Sequence, residues 1–368
     1  MKMMIENNIL RNDERAVFAL RQLYGKYGYK QFKMSKFEEY DFYIQNKDFL
    51  VSDRIITFND TSGKLLALKP DVTMSIIKNG EDIDGFKQKV CYNENVYRVS
   101  ENTRQFKEIM QTGVECIGDI QLYDIYEMIV MAAESLALIS ENFVLEISHL
   151  GLLSSLLNSV CENKTFQQNA MQYIAEKNSH DLARICDENG VGEKEKTALL
   201  KFVSIYGKRN TVLKELDELS DYVLSDAVNQ LKSVSSMLDK LKYSDKIRFD
   251  FSAVNNLNYY NGIVFKGYIA GISQSVLTGG QYDNLLHKMG RRSGAIGFAI
   301  YLDLLENLPN EKQNFDIDVL LLCDDNTDDG VLLDTVNQII GGGKTVSVQN
   351  SNCNKIRYKE IFDLRGGV

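Results

Sequence analysis

The groups in this sequence with chemistry to offer are a strand glutamate, a tyrosine pair and a short acid–hydroxyl turn. In Gln111-Thr112-Gly113-Val114-Glu115, alternation puts Gln111, Gly113 and Glu115 on one face of a strand. A carboxylate there is either a solvated charge or, facing aromatic rings, an acceptor for a ligand N–H. Asn258-Tyr259-Tyr260-Asn261-Gly262 supplies rings that carry a hydroxyl, which suits a small heteroaromatic ligand. Lys69-Pro70-Asp71-Val72-Thr73 offers a second acid and a hydroxyl. Gly279-Gly280-Gln281-Tyr282-Asp283 offers a close-approach glycine pair beside an aromatic, and Tyr97-Arg98 a cation.

Taken singly, each segment also reads as local structure. Asn261-Gly262 between apolar residues is a strong short hairpin signal. Gly279-Gly280 fits a tight turn between a strand and a helix. Asp71 or Thr73 can cap a helix, and residues 294–305 read as a buried strand running into a helix. Other chemistries have no residues to carry them. GxxxxGK[ST] is absent, HExxH is absent, and the three histidines and six cysteines show no metal-ligand spacing. No metal, cofactor or disulfide framework is expected.

The elements that must position these groups follow from periodicity. A helix is expected from a cap at Asn12 or Asp13 to Gly28, then a strand over 29–34 and a helix or turn over 37–43. Residues 55–68 read as a hairpin, 72–79 as a helix, and 90–98 and 113–117 as strands around a polar stretch at 100–107. A long amphipathic helix over 119–138 leads to a strand at 144–148. Helices then dominate about 151–242, which reads as a helical insertion, before strands resume at 247–251, 264–268 and 274–278. After a linker at 309–314, residues 315–368 read as strand, helix, strand and a short tail. The mixture lacks strict βαβ alternation, so an α+β fold with an antiparallel sheet and flanking helices is expected, with a core over 1–310 and a small C-terminal segment over 315–368.

Composition narrows the class. The 368 residues carry a net charge of −9, a poor default for binding nucleic acid. No apolar run approaches the roughly 20 residues of a membrane span, and the N-terminus lacks a signal-peptide pattern. The expected setting is a reduced cytoplasm.

The order of the motifs is more specific than any one of them. Together they resemble the core of class II aminoacyl-tRNA synthetases, and in particular histidyl-tRNA synthetase. Residues 28–38 resemble the dimer-forming first motif, with Ser35 for its proline. Residues 68–73 resemble LRPEGT, with Lys69, Asp71 and Val72 substituted, and 97–118 resemble the second motif, keeping Arg98, Gln111, Gly113 and Glu115. Residues 255–265 resemble the RGLDYY segment, 278–285 the GGGRYDGL segment and 294–305 the third motif.

Two departures bear on activity. The family's catalytic arginine falls on Asn255 and its ATP-gripping arginine on Leu304, with Tyr301 in place of a glycine. Neither Asn nor Leu supplies a guanidinium fork. One lost donor of this kind costs about 3–4 kcal/mol of transition-state stabilisation. Residues 315–368, with nine acids against five basic residues, also have the wrong sign for a tRNA-binding surface.

The family that keeps the histidine pocket but lacks these features is the ATP phosphoribosyltransferase regulatory subunit, and YYNGIVFKGY is similar to its YYTG-type segment. The resemblance implies a non-catalytic subunit of a cytoplasmic hetero-oligomer in histidine biosynthesis. It implies a homodimer through the core, a short-form ATP phosphoribosyltransferase catalytic subunit as partner, and histidine as the feedback ligand. In that reading Glu115 with Tyr259 or Tyr260 meets the imidazole, and Asp71, Thr73 and Gln111 meet the α-ammonium. Arg98, Gly279, Gly280 and Tyr282 line the pocket. A divergent histidyl-tRNA synthetase, a stand-alone histidine sensor and a scaffold are the alternatives.

Overall fold

The computed structural model describes residues 10–50, 54–100, 103–252, 259–308, 315–352 and 355–366. The chain divides into two compact units, Met1–Leu308 and Pro309–Val368. Asn255 and the linker at 309–314 lie outside the described residues.

The first unit opens with helix α1 (Asn12–Lys26), which buries Ala16, Val17, Leu20 and Tyr24 along one face. Its cap position is Arg11, not Asn12 or Asp13. The Glu14 carboxylate reaches back to accept the Arg11 N–H at 2.9 Å, and with Asp13 it faces the positive end of the helix dipole. Gly28, at φ +83, turns the chain into the short strand β1 (Lys30–Gln31). Residues 37–43 hold a strand as well as a helix: β2 (Phe37–Glu39) precedes α2 (Tyr40–Gln45). The strand forms because β2 pairs with β4 (Leu65–Leu68), which also pairs with β3 (Thr57–Asn59). Asp60 closes the β3–β4 turn by accepting the Ser62 and Lys64 N–H groups, each at 2.8 Å. Helix α3 (Val72–Lys78) is capped by Asp71, which accepts the Met74 N–H at 2.9 Å.

The long antiparallel ladder of β5 (Gln88–Val99) and β6 (Phe106–Gly118) runs from Gln88↔Ile117 to Val99↔Phe106. Both strands outrun the expected ones: β5 extends over Gln88–Val99, and β6 begins at Phe106 rather than Gly113, so the strand takes in 106–112 and only the last two residues of the polar stretch. Helix α4 (Leu122–Ile139) leads to β7 (Phe143–His149). Six helices follow: α5 (Leu150–Val160), α6 (Lys164–Ala175), α7 (Ser179–Glu188), α8 (Glu193–Ser204), then, after strand β8 (Tyr206–Lys208), α9 (Arg209–Asp217) and α10 (Ser225–Leu238). Helix α7 is not among the sequence expectations; only Leu182, Ile185 and Cys186 mark its buried face. The chain then re-enters the sheet through β9 (Ile247–Asp250). His149 fastens the insertion at its root: its Nδ1 accepts the Gly151 N–H at 3.1 Å and its Nε2 lies 2.8 Å from Gln230 Oε1 on α10.

Strands β10 (Ile263–Ile269) and β11 (Leu277–Gln281), helix α11 (Asp283–Lys288) and strand β12 (Gly294–Tyr301) complete the unit, followed by a 3-10 turn, Leu302–Asn307. Among the described residues the main sheet has nine strands in the order β1-β5-β6-β12-β11-β10-β7-β9-β8. It is antiparallel except where β1 meets β5 and β7 meets β9. Helices α1 and α4 cover one face, where Val114, Leu145, Ile147, Phe265, Ile296 and Phe298 join the core. The other face carries the site.

In the second unit, β13 (Ile317–Leu322) lies between β14 (Val346–Gln349) and β15 (Tyr358–Asp363), all parallel, with α12 (Asp329–Gly341) as the crossover between β13 and β14. The expected tail is therefore in part a third strand. Lys359 and Glu360, adjacent and so on opposite faces, put a charge on each face and mask the apolar alternation that marks a strand.

Candidate functional site

The strand register builds the floor of the site. Val90, Glu115, Gly297, Gly280, Val264 and Ser148 sit opposite one another across six strands. The next row is Tyr92, Gly113, Ala299, Thr278, Lys266 and Glu146. Residues opposite one another share a face, so both rows point to the same side. Glycine keeps this floor low where other side chains must lie across it. A Cβ on Gly297 would stand 1.7 Å from Glu115 Oε2, and one on Gly113 2.5 Å from the Tyr92 hydroxyl. A Cβ on Gly280 would stand 2.9 Å from Tyr260 Cδ1.

Over this floor lies a cavity of about 490 Å³, within the range of small-molecule sites. It brings together Asp71, Thr73, Arg98, Gln111, Glu115, Tyr259, Tyr260, Gly279 and Tyr282. Three sequence readings need correction. Gly279 and Gly280 belong to strand β11, not to a turn, and Gly280 does not line the cavity. The strand expected over 274–278 begins at Leu277. Asn261-Gly262 is no hairpin tip: the Asn261 N–H bonds to Gln281 O, and the chain runs straight into β10. Leu304 lies in the 3-10 turn, half-buried against the main core and outside the cavity.

The turn-like residues act as bolts. Asn261 Nδ2 donates to Asp283 Oδ2 at 2.9 Å, and the Asp283 N–H donates to Asn261 Oδ1 at 2.8 Å. Gln281 Oε1 accepts the Ile263 N–H at 3.0 Å. These bonds fix the tyrosine segment against β11. Tyr259 then packs edge-on to Tyr260, with ring centroids 4.7 Å apart, and tilts against Tyr282 at 5.7 Å.

Glu115 is the centre of the electrostatics. It is 2% exposed and accepts from Thr73 Oγ1 at 2.7 Å and from the Tyr282 hydroxyl at 2.5 Å. Burial pushes its carboxyl up to about 8, against the pull of the two hydroxyls; the nearby Asp71 carboxylate pushes the same way. Asp71 is itself raised by burial, while the Met74 N–H and Arg98 hold it down. The Arg98 Nε donates to Pro70 O at 3.0 Å, so this cation sits beside the turn that carries Asp71. Burial keeps Tyr92, Tyr259, Tyr260 and Tyr282 as neutral phenols, able to donate.

Sequence reasoning missed several lining residues. Tyr92, Lys266, Thr278, Gly297 and Tyr301 also face the cavity. Thr278 Oγ1 and the Tyr301 hydroxyl lie 3.0 Å apart. The alternation of Val264 with Lys266 was the available signal, but only the register says which face they share. No cluster of three metal-ligating side chains occurs among the described residues, and no described helix is long and apolar enough to cross a membrane.

A buried acid with two hydroxyl donors, in a box of tyrosines, is equipped to take a ring N–H. Comparison with known proteins identifies the family. A family model described as histidyl-tRNA synthetase matches residues 7–305. A curated relative from Oceanobacillus iheyensis, named ATP phosphoribosyltransferase regulatory subunit, is 30% identical over 286 residues, covering 77% of this chain and 70% of the relative. Among solved structures, a protein from Bacillus halodurans described as an ATP phosphoribosyltransferase regulatory subunit/histidyl-tRNA synthetase has a TM-score of 0.77 at 21% identity. That match covers 99% of this chain and 100% of the other. A chain of the ATP phosphoribosyl transferase complex from Thermotoga maritima has a TM-score of 0.63 at 20% identity, covering 79% and 97%. At these identities the structural matches speak for the fold.

Proposed function

The chain belongs to the histidyl-tRNA synthetase family, among its ATP phosphoribosyltransferase regulatory subunits, and we propose that it serves as the histidine-sensing, non-catalytic member of that complex. The observation that carries the sensing role is Glu115, buried in the cavity and held by Thr73 and Tyr282. In this reading Glu115 takes the imidazole against Tyr259 and Tyr260, while Asp71 and Gln111 take the α-ammonium.

Two residues support the absence of catalysis. Tyr301 carries a ring into the cavity where the resemblance implies a glycine, and its hydroxyl is tied to Thr278. Leu304 brings an apolar side chain to the position of a triphosphate-binding arginine. A guanidinium fork has no substitute there. The short-form catalytic subunit is the proposed partner, as in the complex named for the Thermotoga maritima relative. A second copy of the chain is the other. The small β2-β4-β3 sheet supports it, since Phe37 and Phe58 share one of its faces, exposed and packed edge to face. The complex would work in the cytoplasm.

Regulation requires histidine to favour one state of the complex, with a typical coupling of about 1–3 kcal/mol, or roughly 5–150-fold in activity. The test is reconstitution. The catalytic subunit is assayed alone, with this chain, and with Glu115→Gln, across a histidine titration. Activity that appears only in the mixture, with histidine inhibition weakened in the variant, supports the reading. Histidine-dependent ATP–pyrophosphate exchange by the chain alone would sink it and leave a synthetase.

A further inference from the structure

The cavity has a second end that the histidine reading leaves unused. Its acidic end holds Asp71 and Glu115, with Arg98 beside them. At the far side, on β10, stands Lys266, half-buried and lining the cavity. Glu146 is its cross-strand partner on β7 and, with Asp250 further off, supports its charge, but among the described residues no carboxylate oxygen lies within 4.0 Å of its ammonium. Burial holds its pKa below the ordinary lysine value. A desolvated ammonium of this kind gains more from an arriving anion than a hydrated one does.

Its neighbours are donors as well. Thr278 is the direct cross-strand partner of Lys266, so their Cβ atoms are about 5 Å apart. The Thr278 hydroxyl meets that of Tyr301 at 3.0 Å. An ammonium and two hydroxyls on one floor make a set for a carboxylate. We propose that Lys266, with the Thr278 and Tyr301 hydroxyls, forms the anion subsite of this cavity and holds the carboxylate of an amino-acid ligand whose ring lies at Glu115.

The spacing suits such a ligand. Glu115 on β6 and Lys266 on β10 are three strand intervals and one row apart, roughly 16 Å between their backbones, which their side chains shorten. An extended α-amino acid with a ring, plus one hydrogen bond at each end, is of that order. Arg98 is less suited to the task, since it stands at the acidic end and its charge already acts on Asp71. The inference rests on the histidine reading above and adds to it the group that replaces the arginine expected at position 255.

The test is calorimetric titration of the complex with histidine and with histidinol, which has a hydroxymethyl group in place of the carboxylate. The wild-type complex should prefer histidine by tenfold or more. Lys266→Met should weaken histidine about tenfold, leave histidinol nearly unchanged and so collapse the preference. Lys266→Arg should restore much of it, and Thr278→Val should reduce it partly. An intact preference in Lys266→Met, or equal loss of both ligands with Lys266→Arg no better, would overturn the anion subsite while leaving histidine sensing standing. Failure of the wild-type complex to bind histidine would overturn both.

Discussion

If Glu115 receives the imidazole, histidine affinity must carry the signature of one shared proton. The empty site holds a proton on Glu115 up to about pH 8. Free imidazole holds one up to about pH 6.5. The bound pair needs one proton between acid and ring. Between those two values the free partners already carry one in total, so affinity should be flat. Below about 6.5 binding must expel a proton, and above 8 it must take one up. Each limb then costs up to tenfold per pH unit, about 1.4 kcal/mol. Glu115→Gln removes the alkaline proton but not the acid limb, because the ring must still lose its own. The α-ammonium of the ligand also titrates on the alkaline side, in both proteins alike. The informative quantity is therefore the ratio of wild-type to variant affinity. It should be constant from pH 5.5 to 7.5 and fall about tenfold for each unit above 8. Calorimetry of the complex in buffers of different ionisation heat measures it directly. A ratio that stays level through pH 9.5 would refute the assignment of Glu115 to the ring.

Other expectations follow from the same geometry. Because burial raises Glu115, the native state keeps a proton that the unfolded chain loses above about pH 4.5. Stability should then fall as pH rises from about 4.5 to 8, by at most about 5 kcal/mol, and Glu115→Gln should flatten that slope in urea titrations. Gly297→Ala would drive a methyl into Glu115 Oε2 and the Val114 carbonyl. It should cost about 3 kcal/mol of stability by denaturant titration, the upper end of overpacking effects, and histidine binding should be lost with it. Lys69 is fully buried, 3.0 Å from Glu94. Glu94→Gln should therefore cost about 3 kcal/mol, while Glu218→Gln, which removes an exposed partner of Lys201, should cost less than about 1 kcal/mol in the same assay.

What was legible in the sequence was local or carried by motif order. Asp71, Thr73, Gln111, Glu115, Tyr259 and Tyr260 announce themselves through residue type and alternation, and they meet in one cavity. What was hidden depended on pairing between distant strands. Asn261-Gly262 has hairpin chemistry, yet its partner is Gln281 across the sheet, and the side chains of Asn261 and Asp283 lock it there. Gly279-Gly280 looks like a turn because glycine is cheap in turns. Here it is strand, with a Cβ on Gly279 blocked by Phe298 and Phe265, and one on Gly280 by Val264 and Tyr260. Lys266 reads as an ordinary strand lysine until the β10–β11 register sets it beside Thr278.

The parallel pairing of β7 with β9 also bears on the order in which the molecule assembles. Leu145↔Ile247 and its neighbours close a loop of roughly one hundred residues, whereas the β5–β6 ladder closes through a turn of fewer than ten. Loop-closure entropy alone makes the long contact about 2 kcal/mol or more harder to form than the short one. The hairpin that carries Glu115 can therefore assemble early, as a local event. The outer strands β9 and β8 must wait until α5–α10 have folded and shortened the effective loop. His149, joining β7 to α10 through Gln230, then acts as the latch that holds the late-arriving module to a preformed floor. Amide exchange should find that edge opening at lower free energy than the β6–β12 centre, so the sheet is rigid where the ligand ring would rest and yielding where the insertion joins it.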